Sequence, residues 1–134
     1  MRSGHFTYYK KGGILMIRNE DILSPKEALT IGNVFFNTYS PYKHHKPREI
    51  ICDNPKEELM LKIQELSLMV NDLGLYLDLN PHDKVVFVIF KKYNDELVKT
   101  EEKYCVEYEP LNLADDYMDH YKWYKNWPWE GKNV

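Results

Sequence analysis

The sequence predicts an all-α fold. It reads as a long antiparallel two-helix hairpin, flanked by an N-terminal arm with one short helix and by an extended aromatic C-terminal tail. Three observations predict this. A helix-start signal occurs three times, as "SPKE" (24–27), "NPKE" (54–57) and "NPHD" (80–83). Two long segments, about 55–78 and 81–108, keep apolar residues three and four apart. The connection between them, "DLNP", leaves room only for a reversal, so the helices run antiparallel.

The start signal has a physical basis. Ser or Asn offers a side-chain oxygen to an N–H of the first helical turn. Proline follows, where its missing N–H does no harm. An acid three residues after the cap then faces the positive end of the helix. Helix starts are therefore expected near 25, 55 and 81.

In chain order, residues 1–22 read as a flexible lead without a helical or strand period. Met16 is a second candidate start. Residues 23–54 form the arm. Its short helix, "PKEALTI", meets Gly32, a suitable C-terminal stop. The rest of the arm carries Pro41 and Pro47 and reads as extended. In the second helix, Leu59, Ile63, Leu66, Val70, Leu73 and Leu77 form a coiled-coil-like seam. A second stripe, Leu61, Leu68 and Leu75, lies on the opposite side. One partner helix covers only one of these faces, so the helix is expected to be sandwiched by the arm and tail or by another subunit.

The third helix continues the period through Val86, Phe90, Tyr93, Leu97, Thr100 and Tyr104. Its "VVFVIF" start (85–90) holds β-branched residues that favour strand. The preceding cap and the helical "KKYNDELVKTEEKY" that follows argue for helix. An apolar run on all sides implies deep burial of this end. Glu109-Pro110 stops the helix, which closes the hairpin unit at 55–110 and leaves 111–134 as the tail.

Composition excludes several functions. The chain has 134 residues, enough for one domain, with 43% hydrophobic residues and a net charge of −3. A nucleic-acid groove needs a clustered basic face, which this near balance does not supply. The longest apolar run is far too short to cross a bilayer. The two cysteines, Cys52 and Cys105, form no CxxC pair, which suits a reducing compartment, although one bridge between them stays open. No secretory leader is read at the N-terminus. There are 11 tyrosines, an enrichment that suits interfaces.

The segments "KIQELSLMVNDLGLYLDLNPHDKVVFVIFKKYNDEL", "YEPL" and "WPWE" together resemble the CotJB family of spore coat proteins, over about residues 56–130. "LSPKEALTIGNVFFNTYSPY" (23–42) is similar to the companion coat family CotJA. Glu109 stands where the CotJB pattern has glycine, and Phe36 where the CotJA pattern has proline. The resemblance implies a coat component of endospore-forming bacteria, encoded beside a manganese-catalase-like coat protein. Such a component is made in the mother-cell cytoplasm and assembled into the inner spore coat. It implies no enzymatic activity and no cofactor.

The candidate site residues are Trp123, Trp127, Pro128 and Trp129 of the tail, with Leu61, Leu68 and Leu75 of the outer stripe. Tryptophan and tyrosine are common interface anchors, and Pro128 stiffens the segment before it docks. The tail has three readings: closure of its own hairpin, anchoring of a partner, and stacking on a sugar. The expected partners are the manganese-catalase-like coat protein and a second copy of the chain, with no nucleic acid and no membrane.

A second reading is a metal- or redox-active accessory protein. Asp116 and His120, four apart, fall on one helical face, and His44-His45 lie in the arm. No HExxH or third ligand of matched spacing accompanies them, so a solvated acidic turn is the expectation. His82 and Asp83, with Asp78 nearby, sit at a helix start, where Asp83 has a capping task. Cys52 precedes a helix, a place that favours thiolates, but its flanking "II" suits an apolar contact. Both cysteines keep a cross-linking role as a minor expectation.

Overall fold

The structure is a computed structural model that describes residues 10–11, 14–15, 19–38, 40 and 43–112. Within the lead, two short strands, β1 (Lys10–Lys11) and β2 (Ile14–Leu15), pair antiparallel, with Lys10 opposite Leu15. A single 3₁₀ turn follows at Asn19–Asp21. These elements are too short to leave a period in the sequence.

Helix α1 spans Pro25–Ile31 and starts where the cap chemistry places it. The Glu27 N–H donates to Ser24 Oγ at 3.4 Å, and the Ser24 N–H donates to Glu27 Oε2 at 3.2 Å. Each residue thus satisfies a donor of the other. Gly32 ends the helix at φ 82°, a left-handed conformation that a Cβ penalises, and its N–H donates to the Ala28 carbonyl at 2.7 Å. The segments on either side of α1 then close on each other. The Leu23 N–H donates to the Val34 carbonyl at 2.9 Å, and Ile22 bridges Phe35. Asn33 fixes the next turn by accepting from the Phe35 N–H at 2.9 Å and donating to Thr38 Oγ1 at 2.8 Å.

Helix α2 spans Pro55–Leu79, with Asn54 as its cap; Asn54 Oδ1 accepts from the Glu57 N–H at 2.9 Å. Helix α3 spans Lys84–Glu107. Its start corrects the expectation from "NPHD", which places the cap at Asn80 and the helix at Pro81. Asn80 instead ends α2, donating its N–H to the Tyr76 and Leu77 carbonyls. Asp83 is the true cap of α3, accepting from the Val86 N–H at 3.1 Å. The reason is geometric. The chain needs Pro81 and His82 to turn back, and Asp83 is as good a cap as Asn. Asp83 is also fixed from α2, because Tyr76 OH donates to its Oδ2 at 2.8 Å.

The three helices share one core. Leu23, Ala28 and Val34 come from the arm, Met69 and Leu73 from α2, and Val86 from α3; all are buried. Ile63, Leu66, Thr100, Tyr104 and Cys105 extend the burial toward the other end of the hairpin. The buried Thr100 hydroxyl donates to the Glu96 carbonyl at 2.7 Å, so it leaves no polar cost. The seam residues Ile63, Leu66, Leu73, Val86 and Tyr104 are buried as their period implies. Met69 lies outside that seam and is fully buried because the arm packs there.

The deep burial expected for "VVFVIF" is not what the structure shows. The run is helical, but only Val86 is buried; Val85, Phe87 and Val88 are exposed. A hairpin helix has one partner helix, and the short arm covers one further side. Among the described residues nothing else covers the remaining sides of this all-apolar run.

Candidate functional site

The predicted site residues divide sharply. Trp123, Trp127, Pro128 and Trp129 lie outside the described residues, as do Asp116 and His120. Leu61 and Leu68 are half-buried, and Leu68 packs against the core that the arm completes. Leu75 is 58% exposed. The arm therefore supplies cover at Leu68 but not at Leu75.

Of the nine exposed large apolar side chains among the described residues, five lie near the closed end of the hairpin, where α2 turns into α3; Ile50, Ile51, Val98 and Val106 lie elsewhere. Leu75, Leu79, Val85, Phe87 and Val88 are all exposed there, Leu79 to 84%. They are spread round the two helices, so the end as a whole, not a single face, presents apolar side chains. Leu79, Val85, Phe87 and Val88 were not among the residues singled out from the sequence. The available signal was an apolar run with no side left polar, on a helix with a single long neighbour.

The opposite end is built differently. Lys56, in the first turn of α2, forms an ion pair with Glu109, just beyond α3. Tyr104 OH donates to the same Glu109 Oε1 at 3.4 Å, and the Tyr104 ring sits 5.4 Å from that of Tyr108. The hydrogen bond to Glu109 holds the Lys56 ammonium above its ordinary range. Burial, chiefly, pushes the Tyr104 phenol above its own. The group is a polar clasp across the open end; its Lys56–Glu109 pair is partly exposed and of modest energetic weight, while Tyr104 is buried. Glu109 was read as a stop signal and a departure from a family pattern; its pairing with Lys56 was not legible.

The other candidates are placed plainly. His44 and His45 are exposed beside Lys43, which takes a positive φ of 44° in a turn. His82 is exposed in the connection, while Asp83 is committed to the α3 cap and to Tyr76. Among the described residues no group of three metal-type side chains converges. Cys52 and Cys105 do not form a disulfide. Desolvation, followed by Glu57, Glu58 and Asp53, holds the Cys52 thiol above its ordinary range. No helix among the described residues is long and apolar enough to cross a membrane.

Among the described residues the hairpin thus has an apolar closed end, a polar open end, and an arm along one side. A family model described as CotJB protein matches residues 57–130, which takes in both long helices and most of the tail but not the arm. No curated protein matches, and no solved structure matches.

Proposed function

The chain belongs to the CotJB family of spore coat proteins, and from that membership we propose that it is an assembly component of the endospore inner coat, working by protein–protein contact and not by a reaction. The observation that carries this reading is the exposed apolar closed end, Leu75, Leu79, Val85, Phe87 and Val88. Surface of this kind gains free energy when a partner removes it from water, roughly 25 cal/mol per Å² of apolar area. The tail's Trp123, Trp127 and Trp129 with Pro128, and Leu61, Leu68 and Leu75 on α2, are the residues assigned to that contact.

The partner is a manganese-catalase-like coat protein, with self-association as the second contact. The chain is made in the mother-cell cytoplasm and then built into the coat. Capture of the purified catalase-like protein on the immobilised chain tests the assignment. The expected result is capture by the native chain and its loss, by tenfold or more, with Trp127→Ala combined with Trp129→Ala, since anchor residues contribute at least about 2 kcal/mol each. Unchanged capture by the double variant removes the tail from the contact. Absence of capture by the native chain removes the partner.

A further inference from the structure

The arm and the hairpin are two units joined by a bare strap. The arm closes on itself. The Leu23 N–H donates to the Val34 carbonyl at 2.9 Å and Ile22 bridges Phe35, around a helix with its own cap and its own stop. Its cover of the hairpin is apolar. Leu23, Ala28 and Val34 share a core with Met69, Leu73 and Val86, and the Phe35 ring stands 5.6 Å from that of Tyr76. The family match begins at residue 57, so it takes in the hairpin without the arm.

The strap is residues 43–51. Every one of them is exposed, and none lies in a helix or strand. Its Glu49 pairs with Lys26 of α1. Lys43 bends the strap at φ 44°, a left-handed conformation that is costly for a residue with a Cβ. Two further features favour a straighter strap. Lys46 precedes Pro47, which pushes it toward extended backbone. Lys43, Lys46 and Arg48 also repel one another, and less so along an extended chain. The bend is held against the preference of the residues around it.

We propose that two copies exchange arms: the strap straightens at Lys43, and each arm seats on the other copy's hairpin. Each arm–hairpin contact is lost once and re-formed once by the same residues, so the core favours neither form. Two left-handed bends are released per pair. Against this stands the strap, which holds each arm near its own hairpin at an effective concentration in the millimolar range. Exchange wins where chains are crowded to a comparable concentration, and the released bends lower that threshold. The reach is sufficient. The ten residues from Lys43 to Asp53 span roughly 35 Å when extended, against roughly 10 Å for each layer of packed helix. Exchange gives the self-association of the proposed function its form, and rests on that reading only for the crowding that a coat supplies.

Sedimentation of the full chain, with no other protein present, should show monomer at micromolar and dimer at millimolar concentration. The dimer formed from mixed isotope-labelled and unlabelled chains is then read by half-filtered nuclear Overhauser spectra. These should place the Ala28 and Val34 methyls of one copy against Met69, Leu73 or Val86 of the other. Lys43→Gly removes the strain from the closed bend and should weaken dimerisation by about tenfold or more. A chain that stays monomeric at millimolar concentration overturns the proposal. So does a dimer in which the Ala28 and Val34 contacts all lie within one chain, which assigns its interface to another surface. A Lys43→Gly chain that dimerises as tightly as the native one overturns it too. No catalase-like protein takes part, so failed capture and failed exchange remain distinct outcomes.

Discussion

The flank of the hairpin under the arm and the flank away from it are built from the same two helices, yet only the first is finished within the described residues. Under the arm, Met69, Leu73 and Val86 are fully buried, and Leu23, Ala28 and Val34 fill the space above them. Away from it, Phe87 and Val98 stay largely in water. The difference lies in what the chain brings to each flank. The arm arrives already folded into a cap, because Leu23, Ile22, Val34 and Phe35 bond to one another around α1. A hairpin alone has one seam, and every further buried face needs a third element.

The largest test of this contrast is Leu73→Ala against Leu75→Ala. Leu73 is fully buried between arm and hairpin, so its loss should cost about 2–5 kcal/mol in urea unfolding. Leu75, two residues on, should stay within about 0.5 kcal/mol. Equal costs would break the distinction between a covered and a bare face.

Asp83→Ala comes next. It removes the α3 cap and leaves the Tyr76 hydroxyl without its acceptor, for an expected loss of about 1–3 kcal/mol. Restoration by Asp83→Asn of most of that loss would assign it to capping. Gly74→Ala should move the other way. The added methyl meets Phe90 at an ordinary contact distance, and alanine is the better helix former. The expected gain is up to about 1 kcal/mol, read as a raised Tm; a loss would show the away flank to be tighter than it looks.

The smallest effect is at the open end. The Lys56 and Tyr104 pKa values are both raised in the folded chain. The folded state then holds its protons to higher pH than the unfolded chain does. The clasp's contribution is full below the ordinary Lys and Tyr range, and it fades as pH rises through the folded values. Urea midpoints measured from neutral pH upward should fall only in the alkaline range. Lys56→Met, which has no proton to lose at that position, should flatten part of the slope.

The capping chemistry made Ser24 and Asn54 legible, because each side chain acts on N–H groups two or three residues away. The same reasoning misplaced the third start by three residues. "NPHD" holds two capping residues, and which one serves is set by where the chain must turn. The seam was legible from periodicity through Ile63, Leu66, Leu73, Val86 and Tyr104. Met69 was not, since its burial depends on an arm more than thirty residues earlier in the chain. Leu61, Leu68 and Leu75 looked alike as a stripe, but only Leu68 reaches the arm's core. The bare closed end follows from counting neighbours: "VVFVIF" is apolar on more sides than a hairpin and one short helix have elements to cover.

The clasp has a mechanical consequence. Lys56 and Glu109 join the two points at which the hairpin is connected to the arm and to the tail. If the coat holds the chain by both, tension between them acts across the hairpin and peels the helices apart pair by pair from that end. It does not shear them along their length. The first contacts to take the force are Lys56, Glu109 and Tyr104, and the last is the Asp83–Tyr76 bond at the turn. A peeling geometry loads one pair of contacts at a time, so opening proceeds stepwise from the clasp toward the turn and closure can retrace the same steps.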